Sequence, residues 1–261
     1  MTEFENKYRI VSCAENREKI DEIDEKSHIL WPEFMLHDPV ANNNWHRLYE
    51  DFAEYQFVII DKSTDTAICQ INTVPFRWDD KIEDLPDEGW DWVFLKSIKD
   101  FVDGTKPNII SLLQIAILPE YRGKGISPET ISYVKSFAKE MRFKNLVAPV
   151  RPNLKHLYPL TDIGDYIKWT KEGNLPVDPW LRTHVRGGAQ IVKPCRQAMT
   201  ISGSVEEWES WTKMKFHQSG EYVIPMALNP VSFNIEKNKA VYIEPNVWLS
   251  YYLSSDLVES D

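Results

Sequence analysis

Arg122, Gly123, Lys124 and Gly125 stand together in the stretch ILPEYRGKGIS, residues 117–127, between an apolar run and a segment that can start a helix. These residue types in this order suit the binding of an anion. The first N–H groups of a helix have no internal partner, and the helix dipole favours negative charge at that end. Glycine lets the backbone approach an oxyanion closely and adopt positive φ. Arg122 and Lys124 add long-range attraction. Read this way, the stretch holds a phosphate or pyrophosphate over residues 122–127. A surface turn with two glycines has the same spacing and no ligand, so the glycines alone leave both readings open. No Gly-Lys-Ser/Thr follows at P-loop distance, and the order is not G-x-G-x-x-G, so a dinucleotide site is poorly supported.

Other residues bear on an acceptor. Gln114 lies in the apolar run before the loop, where it can face a substrate and orient it or a water molecule. Seven acids run from Asp79 to Asp91 beside Trp78, Trp90 and Trp92. Such a segment is either a lid that draws an ammonium against aromatic faces or a solvated loop anchored by its tryptophans. Neither reading names a general base, and a water chain serves equally. His28, His37, His46, His156 and His217 lack the paired spacing of a metal site, so no metal is expected. No G-x-S-x-G is present to build a nucleophile elbow.

The elements that must position these groups follow from periodicity. Ile20, Ile23, Ser27 and Leu30 predict a helix over 15–35, with Pro32 at its end or at a kink. NNNWHRLYEDFAEY predicts a second helix capped by asparagines. QFVIIDKSTDTAICQINTVPF reads as two strands around a turn at 62–65. A helix is expected over about 91–103. The unbroken apolar run NIISLLQIAIL suits a strand buried on both faces. Ser127 is the expected cap of the next helix, with Pro128 in its first position and Ile131, Val134, Phe137, Ala138 and Met141 as its buried stripe. NLVAPV is a short strand. DPWLRTHVR starts a helix at Asp-Pro and stops at Gly187 and Gly188. A strand region is expected in AQIVKPCRQAMTISG, and late strands or loops in GEYVIP, VSFNIE and AVYIEPNVW, with Ser204 and Glu207 spaced as a capping box.

The chain has 261 residues, 43% of them hydrophobic, and a formal charge of -10. One large domain or two small ones can bury a core of this size. With no repeat or evident linker, a single α/β domain with insertions is expected. The acidic balance speaks against nucleic acid as a partner. Cys13, Cys69 and Cys195 are sparse and unpaired in spacing, which fits a reducing cytoplasm rather than a disulfide framework. No secretory signal or membrane span is visible, so no membrane partner is expected. Oligomeric state stays open, with a homodimer through the apolar C-terminal strands as one arrangement.

The segment LLQIAILPEYRGKGISPETISYVKSFAKEMRFKNLVAPV, about 40 residues, resembles the acetyl-coenzyme A binding core of the GCN5-related N-acetyltransferases. That family has a strand ending Val/Ile-x-Pro-x-Tyr, then Arg/Gln-x-x-Gly-x-Gly/Ala, a long helix and another strand. Ile117, Pro119, Tyr121, Arg122 and Gly125 match, and Ser127 replaces the final Gly or Ala. The resemblance, to a larger bacterial-type member with insertions, implies a mixed, centrally splayed β-sheet flanked by helices. It implies one domain over 1–261, with an acyl-CoA core at about 108–192, an insertion at about 154–177 and a C-terminal extension at about 200–261. The amides of Arg122, Gly123, Lys124, Gly125, Ile126 and Ser127 would cradle the pyrophosphate of acetyl-CoA or another acyl-CoA. The strand end Ile115, Ala116 and Ile117 would bind the pantetheine arm as an added strand. The N–H near Ile117 would meet the thioester oxygen.

The family's tyrosine acid has two candidate positions. NLKHLY offers Tyr158, with Asn153 as a further cofactor contact. DPWLRTHVRGGAQIV, aligned on Gly188, offers His184, whose ordinary pKa near 6.5 permits proton exchange at neutral pH. The expected activity is direct transfer of an acetyl group to the amine of a small molecule or peptide. The alternatives are a non-catalytic acyl-CoA-binding module and an acyltransferase that uses a longer chain or a hydroxyl acceptor.

Overall fold

The computed structural model describes residues 2–253. A short α1 (Glu3–Lys7) leads into β1 (Tyr8–Ser12), α2 (Arg17–Ser27) and α3 (Pro39–Glu50). β2 (Gln56–Asp61) and β3 (Thr66–Phe76) follow, then α4 (Gly89–Val102), β4 (Ile109–Ile117), α5 (Ile126–Glu140) and β5 (Asn145–Val150). α6 (Ile163–Tyr166) and α7 (Pro179–Arg186) precede β6 (Gln190–Gly203) and α8 (Val205–Thr212). β7 (Gly220–Tyr222), β8 (Val231–Asn234) and β9 (Lys239–Tyr252) complete the described chain. All nine strands belong to one sheet in the order β1-β2-β3-β4-β5-β9-β8-β7, with β6 also paired on β9. β9, from the region past residue 200, sits against β5 near the middle of the sheet, so the late strands pair within the chain.

The feature that makes a site is the failure of β4 and β5 to stay together. They pair in parallel only at Ile110 with Leu146 and Ser111 with Val147. Beyond Ser111 the two strands part, and the edge of β4 from Leu112 to Ile117 loses its partner. β4 meanwhile stays antiparallel to β3 as far as Cys69 opposite Ile117, with a one-residue irregularity at Leu113. A bulge adds twist and bends its strand, which turns β4 out of the plane of β5. The indole of Trp90 donates to the Leu113 carbonyl at 3.1 Å, so the group released by the bulge stays satisfied.

The two faces of β3 and β4 differ in kind. Gln70, Asn72 and Gln114 share one face, because directly opposed residues and i, i+2 neighbours point the same way. Gln56 of β2, opposite Asn72, joins them. α2 presents Ile20, Ile23 and Ser27 inward and ends at a 3-10 turn, so the helix is shorter than its periodicity suggests. α3 begins earlier than the asparagines imply. Asp38 caps it, accepting from the Ala41 amide at 2.7 Å, and Pro39 takes the first position, which leaves Asn42 to Asn44 inside the helix. Asp-Pro wins because its carboxylate and fixed φ are both suited to a helix start. The start of α4 presses on β6: a Cβ on Gly89, whose φ is +37°, would lie 3.0 Å from the Cβ atoms of Ala198 and Cys195. Among the described residues, no helix is long and apolar enough to cross a membrane.

Candidate active site

A cleft of about 870 Å³ opens where β4 leaves β5. Its floor is the strand ends Leu112–Ile117 and Ala148–Arg151, with Glu244 and Asn246 of β9 behind them. α7 supplies Pro179, Trp180, Thr183 and His184. α2, α3 and the turns between them supply Asp24, Trp31, Met35 and Trp45, and Trp90 reaches in from α4. Arg122 and Ser127 mark the end at the glycine loop.

That loop keeps its main chain open. Gly123 and Gly125 have φ of +75° and +77°, and a Cβ at either position would meet nothing within 4 Å. α5 begins at Ile126, with Gly125 as its cap and no side-chain cap bond. The expected cap, Ser127, therefore lies one residue inside the helix. A glycine cap carries no oxygen to occupy the first amides, so those of Ile126 and Ser127 remain free for a ligand. The Arg122 amide is already committed, donating to the Pro119 carbonyl at 3.2 Å. This removes Arg122 from the expected row of main-chain donors, although its side chain lines the cleft. The Lys124 ammonium sits 4.7 Å from the centre of the Tyr121 ring.

The orientation of the β4 peptides follows from pairing. Leu118 donates to the Ile68 carbonyl at 3.0 Å, so alternation directs the peptide groups of Ala116 and Gln114 to β3. Those of Ile115 and Ile117 point to the parted edge. The Ile117 carbonyl accepts there from the Arg122 guanidinium at 3.2 Å. Ala116 can thus touch a ligand with its side chain but not bond it through its peptide groups.

His184 lines the cleft and is fully buried. Its Nδ1 lies 2.7 Å from the Tyr251 hydroxyl. Nε2 has no partner. Tyr251 is buried too, and among the described residues its O–H has no other acceptor, so it donates to Nδ1 and leaves the proton of the neutral ring on Nε2. Burial pushes the imidazole pKa down to about 3. The expectation of proton exchange near pH 6.5 therefore does not hold. At neutral pH the ring is an uncharged N–H donor.

Tyr158 stands elsewhere. It is 43% exposed, packs edge-on against Trp169 with ring centroids 4.8 Å apart, and does not line the cleft. Pro159 and the 3-10 turn Lys155–Leu157 end the helix that would have carried it. Asn153 does line the cleft. The acids Asp79 to Glu88 lie outside it; Asp79 pairs with Arg77 at 2.7 Å and Asp87 with Lys193 at 3.0 Å. This segment is a loop tied to the core, with the Trp248 indole donating to the Pro86 carbonyl at 2.7 Å. Only Trp90 of its tryptophans reaches the cleft.

Gln114 heads a chain of amides that sequence reasoning met only at this one point. Its Nε2 donates to Gln70 Oε1 at 3.0 Å and to Asn72 Oδ1 at 3.2 Å. Asn72 donates to Gln56 Oε1 at 3.1 Å. Gln70, Asn72 and Gln56 are fully buried. The alternating amides of CQINTV were the signal for this polar face, since a buried strand seldom carries two without a partner network.

Beneath the cleft lies a buried acidic group. Among the described residues, Asp38 Oδ2 and Asp91 Oδ1 are both buried without a hydrogen-bond partner. Burial, opposed by main-chain bonds, pushes the Asp38 pKa up to about 6. Burial, reinforced by the charge of Asp38, pushes Asp91 up to about 8. Burial also raises the pKa of Glu244, despite its ion pair with Arg151 at 2.6 Å. Among the described residues, no group of three or more His, Cys, Asp or Glu side chains could hold a metal ion.

No family model matches the chain. It is 30% identical over 246 residues to the arginine N-acetyltransferase avaD of Aspergillus versicolor, an alignment that spans 84% of each protein. The loading GNATL domain of CurA from Lyngbya majuscula superposes with a TM-score of 0.63 at 18% identity, over 94% of this chain and 98% of that one. The GNAT-like decarboxylase GphF, solved with isobutyryl-CoA, superposes with a TM-score of 0.55 at 12% identity, over 95% and 99%. The last two likenesses concern the fold, whereas the first extends to sequence along most of the chain. Its likeness to avaD along most of its length places the chain among the GCN5-related N-acetyltransferases, and the protein is an acyl-CoA-dependent N-acetyltransferase acting on an amine.

Proposed function

We propose that the chain moves an acetyl group from acetyl-CoA directly to a small cationic amine of the arginine or agmatine kind, within one domain that spans the chain and carries residues 154–177 as an insertion. One observation carries this reading: the cleft is continuous from the open loop amides to a wall of tryptophans and carboxylate, so carrier and acceptor share one space. The arginine N-acetyltransferase relative supports the acceptor class. Three free, buried thiols fit a cytoplasmic setting.

In this reading the diphosphate rests on the amides of Gly123 to Ser127, with Asn153 near the carrier. The pantetheine amides pair with Ile115 and Ile117 on the free edge of β4, as an added strand would. The neutral amine attacks the thioester carbonyl, and the C–N bond forms as charge gathers on the oxygen near the Ile117 N–H. On collapse the C–S bond breaks. The nitrogen gives up one proton through water and keeps the other as the amide N–H, and the coenzyme thiolate gains one. His184 contributes an uncharged N–H to the departing sulfur, held in line by Tyr251. Gln114 orients the amine or its water. No cysteine takes part, because burial raises the pKa of all three thiols.

Free-thiol release from acetyl-CoA tests this. L-arginine or agmatine should be turned over well above simple neutral alcohols, with isobutyryl-CoA as a check on acyl length. Release with alcohols and none with either amine would contradict the reading.

A further inference from the structure

α2 brings one carboxylate into the cleft that the transfer chemistry above does not use. Asp24 is half-buried and lines the cleft beside Trp31, Trp45 and Trp90. Three neutral donors converge on its Oδ1: the Tyr49 hydroxyl at 2.8 Å, the Gln70 amide at 2.9 Å and the Trp45 indole at 3.2 Å. Its Oδ2 takes part in no hydrogen bond among the described residues, and no Lys, Arg or His pairs with it. The other carboxylate lining the cleft, Glu244, is occupied by Arg151 and by the Tyr242 hydroxyl at 2.5 Å. Asp24 is therefore a fixed negative group, its orientation set by three donors and its charge left without a partner.

Its position is also set. Gln70 donates to Asp24 with the same amide whose oxygen accepts from Gln114. One side chain thus separates Asp24 from the strand position where β4 leaves β5. A cation placed there would meet a carboxylate in a cleft that Trp31, Trp45 and Trp90 also line, the two kinds of group that hold organic cations.

We infer that Asp24 is the residue that selects the acceptor, by binding its cationic nitrogen group, whether ammonium or guanidinium. This rests on the acceptor class proposed above. Asn at this position is the informative change, because its carbonyl oxygen can still accept from Tyr49, Gln70 and Trp45 while the charge is gone.

The experiment compares wild type and Asp24→Asn on L-arginine, agmatine and L-citrulline, which keeps the ammonium and has a neutral ureido group. The acetyl-CoA-induced rise in melting temperature reports that the fold and the carrier site are intact. The expected result is an unchanged rise and a fall of about 30-fold in kcat/KM, carried mostly by KM. Loss on arginine and agmatine alone places the guanidinium on Asp24; loss on all three places the ammonium there. Asp24→Glu, with its charge on a longer stem, should recover part of the loss. Equal kcat/KM in wild type and Asp24→Asn overturns the assignment and leaves the acceptor class standing. Turnover of none of the three by the wild type contradicts that class and takes the assignment with it. If the Asn variant loses the acetyl-CoA response through misfolding, Asp24→Ser replaces it and the same ratios decide.

Discussion

The two halves of the cleft are built in opposite ways. In the function proposed, the carrier half uses main chain: amides from Gly123 to Ser127 and the free edge of β4, all within one strand, one loop and the first turn of one helix. The acceptor half, as proposed, uses side chains from six elements: Asp24 of α2, Trp45 of α3, Gln70 of β3, Gln114 of β4, His184 of α7 and Tyr251 of β9. Main-chain chemistry depends on backbone shape, so glycines and a helix start suffice to specify it. Side-chain chemistry depends on burial and on partners far along the chain, and it can change without disturbing the carrier site. Damage to one half should therefore leave the other working.

The largest effect is expected at the loop. Gly125→Glu puts a side chain at φ +77° and a negative charge in the path of the diphosphate. The acetyl-CoA-induced rise in melting temperature should vanish, and kcat/KM for acetyl-CoA should fall by about 1000-fold. The melting temperature without ligand should fall by only a few degrees, the cost of a side chain at φ +77°, since the added Cβ meets no protein atom; the ligand-induced rise is read against that baseline.

In the acceptor half, His184→Gln should lower kcat by about 100-fold while the acetyl-CoA response persists. The pH profile sharpens the point. A histidine with its pKa pushed down to about 3 stays neutral through the working range, so the wild-type kcat should show no limb near pH 6.5 that this variant removes. Such a limb would mean that His184 ionises there and acts as a true acid.

Much of the carrier half was legible in advance because its residues are consecutive. The strand, loop, helix and next strand all lie where the pattern put them. The main error was one of capping: Ser127 looked like the better cap, yet Gly125, in the left-handed region, starts the helix and leaves the amides bare. The acceptor half was legible only in fragments. His184 was found through the family resemblance, aligned on Gly188, but its burial was not, so its pKa was placed too high. Tyr158 matched the motif only in part, and its side chain is exposed outside the cleft. Asp24 looked like any helix acid, although its spacing from Ile20 and Ser27 puts it on the inward face of α2. Gln70 and Asn72 become meaningful only once β3 is seen beside β4.

A smaller effect should come from the acids under the cleft. Asp91, with its pKa pushed up to about 8, keeps a proton in the folded protein that the unfolded chain has already released. Its contribution is present at low pH and is lost as pH rises through 8. Asp38 behaves likewise but is spent by about pH 6. His184 acts in the opposite direction and lower down, with stability lost as pH falls from about 6.5 toward 3. Between pH 6.5 and 8 only Asp91 of these three is still titrating. Its loss should lower stability by ~1–2 kcal/mol, or a few degrees of melting temperature. Asp91→Asn should flatten that decline. A decline of the same slope in the variant would place its cause elsewhere.

The smallest effect belongs to Tyr158→Ala, which should leave kcat/KM within about twofold of wild type, as for a surface change away from the site. A loss of 50-fold or more would draw the insertion into the chemistry.

The most direct test of the central claim is a crystal structure with acetyl-CoA bound. The diphosphate should lie on the amides of Gly123 to Ser127, with the pantetheine arm along Ile115 and Ile117 and the sulfur facing His184 Nε2. A diphosphate held anywhere else, or an arm that does not follow the parted edge of β4, would contradict it.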